Sequence, residues 1–382
     1  MDIAMHTVYR DIHLLRDGRE AFPEILSCIK QASKSIVINM FIWCGDRIGS
    51  AIAEAVLEAA DRGVKIDIIK DRYGICCEYG EEDQTSMFHP VPTAYETAQI
   101  RTLEFLYNRD LFGKEITGIP NLLALRMRSH PNITVRSETV RKDHSKFYLF
   151  DDEILIFGGI NIEDKENGID RLGRTYRDYM VKLCGTEAVS AFKAHRSGYK
   201  DKRTSIFAQN IKAPVRQFEV KDAYLDLIRN AEKELTILMA YFSPVPEFMH
   251  EIEQASLRGV DVRILIPGHA NFNDSSNHYT VKQLYTFGQK HGTSISVYRS
   301  PDMTHTKLVR SEKTICLGSC NITKNAFDTL DELNLIVPVD NSEFTKQVIE
   351  SSEQIIQNAS RVTCSEELEY DRFLFRLERT VL

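Results

Sequence analysis

This chain carries one pattern twice, and a chain that repeats is constrained to fold the same way twice. His144-Ser145-Lys146 returns as His305-Thr306-Lys307. In each copy a carboxylate follows five residues after the lysine, Asp151 in the first and Glu312 in the second. A small-residue turn ending in asparagine comes next, Gly158-Gly159-Ile160-Asn161 and Gly318-Ser319-Cys320-Asn321. A single HxK triplet arises by chance in many chains of this size. Two copies with the same acid and the same G-[GS]-x-N turn do not, and they predict an active site built from two half-sites, with two histidines facing one substrate.

The repeat reaches back toward the start of each half. Residues 29–43, IKQASKSIVINMFIW, match 228–242, IRNAEKELTILMAYF; both read as a helix end, a charged turn and a strand. Residues 55–71, AVLEAADRGVKIDIIKD, match 251–267, EIEQASLRGVDVRILIP. In each, a helix ends at Arg-Gly, with Gly63 or Gly259 suited to a left-handed cap. Each half thus reads helix–strand–helix–strand, a motif-bearing hairpin, then helix and strand, which is α/β alternation. The expected domains are 1–205 and 206–382, divided in the polar stretch Lys200–Pro214. The first half carries about 35 more residues between its second strand and its histidine motif, an insertion spanning roughly 78–131. Beside an active site, such a segment is either a lid or an ordinary surface excursion.

Composition excludes some roles. With 43% hydrophobic and 27% charged residues, the 382-residue chain is that of a soluble globular protein. Its net charge of −7 argues against a protein that coats nucleic acid, though it leaves room for a local basic pocket. The eight cysteines show no zinc spacing and are expected to be buried, reduced thiols. No signal peptide is visible and no window reaches the ~20 apolar residues of a membrane span, so the chain is expected to be soluble, or peripheral to a membrane at most. The C-terminal EELEYDRFLFRLERTVL reads as a helix whose Leu368, Phe373, Phe375 and Leu377 pack on the body.

The paired residues suit phosphoryl chemistry. Lys146, Lys307, Asn161 and Asn321 together offer cationic and amide donors to an oxyanion. One neutral histidine of His144 and His305 attacks phosphorus; the other, protonated, serves the leaving alkoxide and later activates an alcohol or water. Strand alternation would put each histidine and its lysine on one face. No cofactor or metal is required by this scheme.

These residues resemble the HKD motif of the phospholipase D superfamily, and the repeated helix–strand units extend the resemblance over most of the chain. It implies two similar α/β sandwich domains with pseudo-two-fold symmetry and the active site at their interface. It also implies metal-independent, ping-pong phosphodiester cleavage through a phosphohistidine, with His144 favoured as nucleophile. By the same resemblance a downstream carboxylate orients each histidine, and Asp178 and Glu332 match those positions. Asp151 and Glu312 then read as structural acids of the hairpin. The second motif departs from the family in having Glu312 for Asp, and Ser311 competes for that position.

Within the superfamily the sequence is similar to bacterial cardiolipin synthases and related phosphatidyltransferases, on MFIWCGDRIG, AADRGVKIDIIKDRYG, RGVDVRILIPG and DHSKFYLFDDEILIFGGINIEDKE. The resemblance implies a phosphatidylglycerol-like substrate, an alcohol or water acceptor, and one chain sufficient for a complete site. It further implies a cytoplasmic location, peripheral to the inner face of the membrane. The membrane-spanning N-terminal region of many such enzymes is not seen here. The competing readings are a nucleic-acid phosphodiesterase, disfavoured by the acidic composition, and a degenerate scaffold, disfavoured by two intact HxK/Asn sets.

Overall fold

The computed structural model describes residues 11–80, 85–109, 112–116, 118–199 and 206–381. Its contacts divide the chain into two units: Met1–Tyr176 with Met180–Lys193, and Arg177–Tyr179 with Ala194–Leu382. The three-residue piece Arg177–Tyr179 therefore counts with the second unit although its neighbours in sequence belong to the first.

Each unit is built on one mixed sheet. In the first, the strand order is Ile12–Arg16, Tyr179–Cys184, Ile154–Gly158, Lys146–Phe150, Ser35–Met40, Lys65–Lys70 and Ile133–Arg136. In the second, Phe207–Ile211, Glu332–Pro338, Thr314–Gly318, Lys307–Ser311, Glu234–Met239, Asp261–Pro267 and Ile295–Ser300 take the same places, with short strands added at both edges. The middle of each sheet switches direction at one seam. Ser35–Met40 runs parallel to Lys65–Lys70 and antiparallel to Lys146–Phe150, and Glu234–Met239 does the same with Asp261–Pro267 and Lys307–Ser311. The parallel side needs helical crossovers, Arg47–Asp61 and Pro246–Leu257, while the antiparallel side is closed by the tight motif hairpin.

Local chemistry sets these crossovers in duplicate. Each ends where Gly63 or Gly259 takes a left-handed backbone, φ 97° and 91°, which a side chain would strain. The arginine just before each glycine reaches the preceding helix: Arg62 donates to the carbonyls of Ile29 and Lys30, and Arg258 to those of Ile228 and Arg229. Orphan carbonyls of one helix are thus satisfied by the end of the next. Two separate cores follow. Phe22, Ile25, Ile52 and Val56 pack with Ile38, Ile68, Tyr148 and Ile156 in the first unit. Tyr224, Ile228, Phe248 and Ile252 pack with Ile237, Ile264, Val309 and Cys316 in the second.

The units differ where the insertion was expected. Between Lys65–Lys70 and Ile133–Arg136 the first unit holds helices Ile75–Gly80, Ala94–Tyr107 and Leu122–Ser129; the second holds the single helix Asp274–His291. Helix Ala94–Tyr107 opens with a full Thr93/Glu96 capping box. The insertion is anchored by a buried ion pair, Lys70 Nζ to Glu78 Oε1 at 2.8 Å, and Glu78 also accepts from the backbone N–H of Trp43 and from Ser86 Oγ.

Helix Arg372–Val381 packs on Asp274–His291 through Phe375 against Tyr279 and through Glu378, which accepts from the Ser276 N–H. Leu368 is fully buried as expected, but Phe373 is not: it is 69% exposed, because it lies on the outer side of that helix. No helix among the described residues is long and apolar enough to cross a membrane.

Candidate active site

The motif strands begin at the lysines, so His144 and His305 lie just ahead of their ladders rather than within them. Each lysine turns back on its own histidine: Lys146 Nζ donates to the His144 carbonyl at 2.7 Å, and Lys307 Nζ to that of His305. Both lysines are essentially fully buried and both histidines less than a tenth exposed. A buried ammonium is costly unless it is paired and hydrogen-bonded, and these carbonyl contacts supply part of that compensation. An aromatic edge braces each imidazole, Phe41 on His144 at 4.8 Å between centroids and Tyr241 on His305 at 5.9 Å. Sequence reading missed both rings, which arrive from the loop after the central strand.

The asparagines are placed by a duplicated short ladder. Trp43 bridges Ile162, and Phe242–Ser243 pairs with Ile322–Thr323, so Asn161 and Asn321 each sit one residue before a parallel bridge. Both are buried; Asn321 Oδ1 accepts from the Tyr241 N–H at 3.3 Å, whereas Asn161 Oδ1 makes no hydrogen bond among the described residues.

The ladder register makes Asp178 and Glu332 equivalent. Gly158 pairs with Met180 and Gly318 with Asn334, so each acid stands two residues before the partner of its motif glycine. Their contacts do not follow the repeats. Asp178 was expected to serve the histidine of its own repeat; instead its Oδ2 lies 2.9 Å from His305 Nδ1 and 3.4 Å from Lys307 Nζ. The cause is the placement of Arg177–Tyr179 in the second unit, reinforced by Thr306 Oγ1 donating to the Arg177 carbonyl. Glu332, fully buried, accepts from Ser319 Oγ at 2.5 Å. That hydroxyl belongs to the Gly-Ser-Cys-Asn turn; the first turn has Gly159 in its place.

Asp151 and Glu312 lie at the far ends of their strands and do one job. Asp151 accepts from the backbone N–H groups of Ser33, Lys34 and Ser35 at 2.8–2.9 Å, and Glu312 from those of Glu232, Lys233 and Glu234 at 3.0–3.3 Å. Burial pushes both carboxyls up, but these backbone donors outweigh it and leave both below their usual range. Ser311 takes no part in that clamp; its hydroxyl accepts from Lys313 and Thr314 in the hairpin turn.

Around the first motif a polar network has no counterpart in the repeat. Asp143 accepts from Ser145, Arg141 joins Asn39 to Asp143 at 2.9 and 2.6 Å, and Asp71 accepts from the Arg141 and Asp143 N–H groups. Asp143 directly precedes His144 in sequence, but Thr304 precedes His305, so comparing the halves hid it. The cysteines are all free thiols, and five are buried. The expectation of burial fails for Cys77 and Cys184, which are half-buried, and for Cys364, which is exposed. Burial pushes the Cys316 thiol up to about 12, so it stays protonated and poorly nucleophilic. In the first unit the exposed Asp11 and His13 with Cys184 bring metal-ligand atoms together within 4.8 Å of one another.

A family model described as cardiolipin synthase, PLD-like domain, matches residues 25–195 and 224–356, which covers both histidine motifs and most of the chain. The chain belongs to this family. Among curated relatives, cardiolipin synthase B of Salmonella typhi is 24% identical over 347 residues, covering 85% of this chain and 76% of that protein. The major cardiolipin synthase ClsA of Bacillus subtilis is 22% identical over 356 residues, covering 87% and 67%. Among solved structures, a phosphatidylserine synthase of Haemophilus influenzae aligns with a TM-score of 0.67 at 15% identity, covering 97% of this chain and 92% of that one. A polyphosphate kinase of Porphyromonas gingivalis aligns with a TM-score of 0.55 at 12% identity over 97% of this chain and 51% of that one. At such identities these likenesses speak for the fold, and one fold shared by two differently named enzymes shows that the substrate must be argued from the site. In this PLD-like chain each unit holds one histidine, one buried lysine and one buried asparagine of the repeated motif.

Proposed function

We propose that the chain is a metal-independent phosphatidyltransferase of phospholipids, cardiolipin synthase-like, acting through a phosphohistidine. The observation that carries this reading is the complete His-Lys-Asn set in both repeats, in a chain whose family model matches over both. His144 attacks phosphorus, and the bond to the departing alcohol breaks as His305 donates its proton. His305 then takes the proton of the incoming hydroxyl, which displaces His144. Asp178 supports the second role: it engages Nδ1 of His305, leaving Nε2 as the nitrogen that exchanges protons, and its charge stabilises the imidazolium. Lys146, Lys307, Asn161 and Asn321 hold the non-bridging oxygens as charge builds on them. Glu332 is the equivalent acid of the second repeat and fixes the hydroxyl of its Gly-Ser-Cys-Asn turn.

The substrate in this reading is a phosphatidylglycerol-like lipid and the acceptor a second lipid hydroxyl, with water giving phosphatidic acid instead. One chain supplies both half-sites, so a monomer suffices. The enzyme works from the cytoplasmic side, peripheral to the bilayer that holds its substrate.

The test is incubation with phosphatidylglycerol vesicles and, separately, with single-stranded DNA. Cardiolipin is the expected product; phosphatidic acid alone would make the enzyme a hydrolase, and cut DNA without lipid turnover would overturn the lipid reading. His144→Ala and His305→Ala are each expected to lose at least about 10³-fold in turnover, and Cys316→Ala to keep it. Full activity in either histidine variant excludes the two-histidine mechanism.

A further inference from the structure

The insertion of the first unit exposes apolar surface out of proportion to its length. Half of the large apolar side chains exposed among the described residues fall within 91–125, a stretch where the second unit holds only the single helix Asp274–His291. The best-defined part is a cluster joined by direct contacts. Phe105 and Phe112 are each more than half exposed and pack edge to face at 5.9 Å, with the Arg109 guanidinium 5.3 Å from the Phe105 ring centre. Beside them Arg171 donates to Asn108 at 3.3 Å, bringing in the tip of a hairpin closed by the Ile169–Thr175 bridge. That tip exposes Ile169 and Leu172 by 60% and 66%.

Charge is sorted across this surface. Glu96 and Glu104 are turned inward, onto Arg72 at 2.7 Å and Arg101 at 2.7 Å. Arg109, Lys114, Arg126 and Arg171 are exposed, against Glu115 as the exposed acid among the described residues of 91–129 and 169–175. A chain of net charge −7 is repelled by an anionic surface unless it meets that surface through a local cationic face. Exposed aromatic and aliphatic side chains set among arginines are what the boundary of an anionic bilayer selects. The hairpin is also tied to the chemistry, because the chain enters it from Asn161 and leaves it toward Asp178.

We propose that Phe105, Phe112 and Leu172, with Arg109 and Arg171, form the surface by which this protein docks on an anionic phospholipid bilayer. The inference rests on the phosphatidyl-transfer reading for its purpose, but its test does not. Co-sedimentation is measured with phosphatidylglycerol and with phosphatidylcholine vesicles for the full chain, for Phe112→Ser/Leu172→Ser and for Arg109→Gln/Arg171→Gln. Wild type is expected to favour the anionic vesicles. The arginine pair is expected to lose roughly 30-fold in partitioning and the apolar pair about tenfold or more. Thermal midpoints close to wild type show that the variants are folded. Turnover of a soluble short-chain phosphatidylglycerol is expected to stay near wild type while turnover on vesicles falls with binding. In a third variant, Phe112→Trp, emission should shift blue on adding anionic vesicles, over a constant signal from the buried Trp43. Undiminished vesicle binding by both double variants, no blue shift, or an equal loss on soluble and vesicle substrate would each overturn the docking surface. If the variants lose binding while even wild type turns over no lipid, the surface stands and the proposed activity fails.

Discussion

His305 is the residue whose surroundings are most completely drawn. Its Nδ1 is held by Asp178, its carbonyl by Lys307, and its ring by Tyr241. An imidazole fixed this way keeps one tautomer and one orientation, and both are lost together when the acid becomes an amide. Asp178→Asn is expected to lower turnover of the folded enzyme by about 10²–10⁴-fold. The readout that separates orientation from general damage is the downfield Nδ1 proton of His305 in the NMR spectrum, which should vanish in this variant while the fold is retained. If that proton persists and turnover is normal, Asp178 is not the orienting group. Both acids were picked out in sequence by the family resemblance, each just before an apolar strand. Which histidine Asp178 meets was not, because repeat matching pairs like with like and carries no information on where three residues of loop are packed.

At the scale of elements, two acidic clamps set how helices meet the sheets. Asp151 ties the turn before Ser35–Met40, as Glu312 ties that before Glu234–Met239. Removing the three backbone acceptances of such a carboxylate, and for Asp151 a fourth from Ser33 Oγ, at a partly exposed turn costs about 1–3 kcal/mol. Asp151→Ala should therefore lower the unfolding midpoint in denaturant while the folded enzyme keeps its turnover; a large loss of turnover with unchanged stability would return Asp151 to the chemistry.

Glu78 does comparable work for the insertion, with a different pH signature. Burial pushes this carboxyl up, but the Lys70 ammonium at 2.8 Å and the nearby His89 outweigh that and hold it at about 2. The folded value lies below that of an unfolded glutamate, near ~4.3. Its stabilisation is thus complete above ~pH 4.3 and drains away as pH falls toward about 2. Glu78→Gln leaves Lys70 buried without its counter-charge and should cost about 3–5 kcal/mol at neutral pH. In the same variant the loss of stability between pH 4 and 2 should shrink; an unaltered acid transition would contradict the linkage. The insertion itself was legible as extra length and polar text. The ion pair that pins it was not, because Lys70 and Glu78 look like ordinary surface residues until a strand end and a short helix enclose both.

The whole molecule is two α/β units of one strand order, each with its own apolar core. Yet the second unit borrows Arg177–Tyr179 from within the first repeat. A chain cut at the repeat boundary and beginning at Ile206 is therefore expected to keep helical and strand circular dichroism while lacking the carboxylate on His305. Turnover and the downfield His305 proton should both be absent from it, and a normal His305 signal there would show that Asp178 is dispensable. Sequence alone determined the duplication, the α/β class, the two His-Lys-Asn sets and the place of Asp151 and Glu312 at the far ends of their hairpin strands. Each of these is a local pattern or a repeat of one, set by strand and turn periodicity that neighbouring residues suffice to impose. The tertiary structure decided the pairing of Asp178 with His305, the rings against both histidines, the buried Lys70–Glu78 pair and the exposed apolar face of the insertion. Those depend on which distant segments share a place, and burial, which turns a lysine from a solvated charge into a held one, is a property of the packed chain.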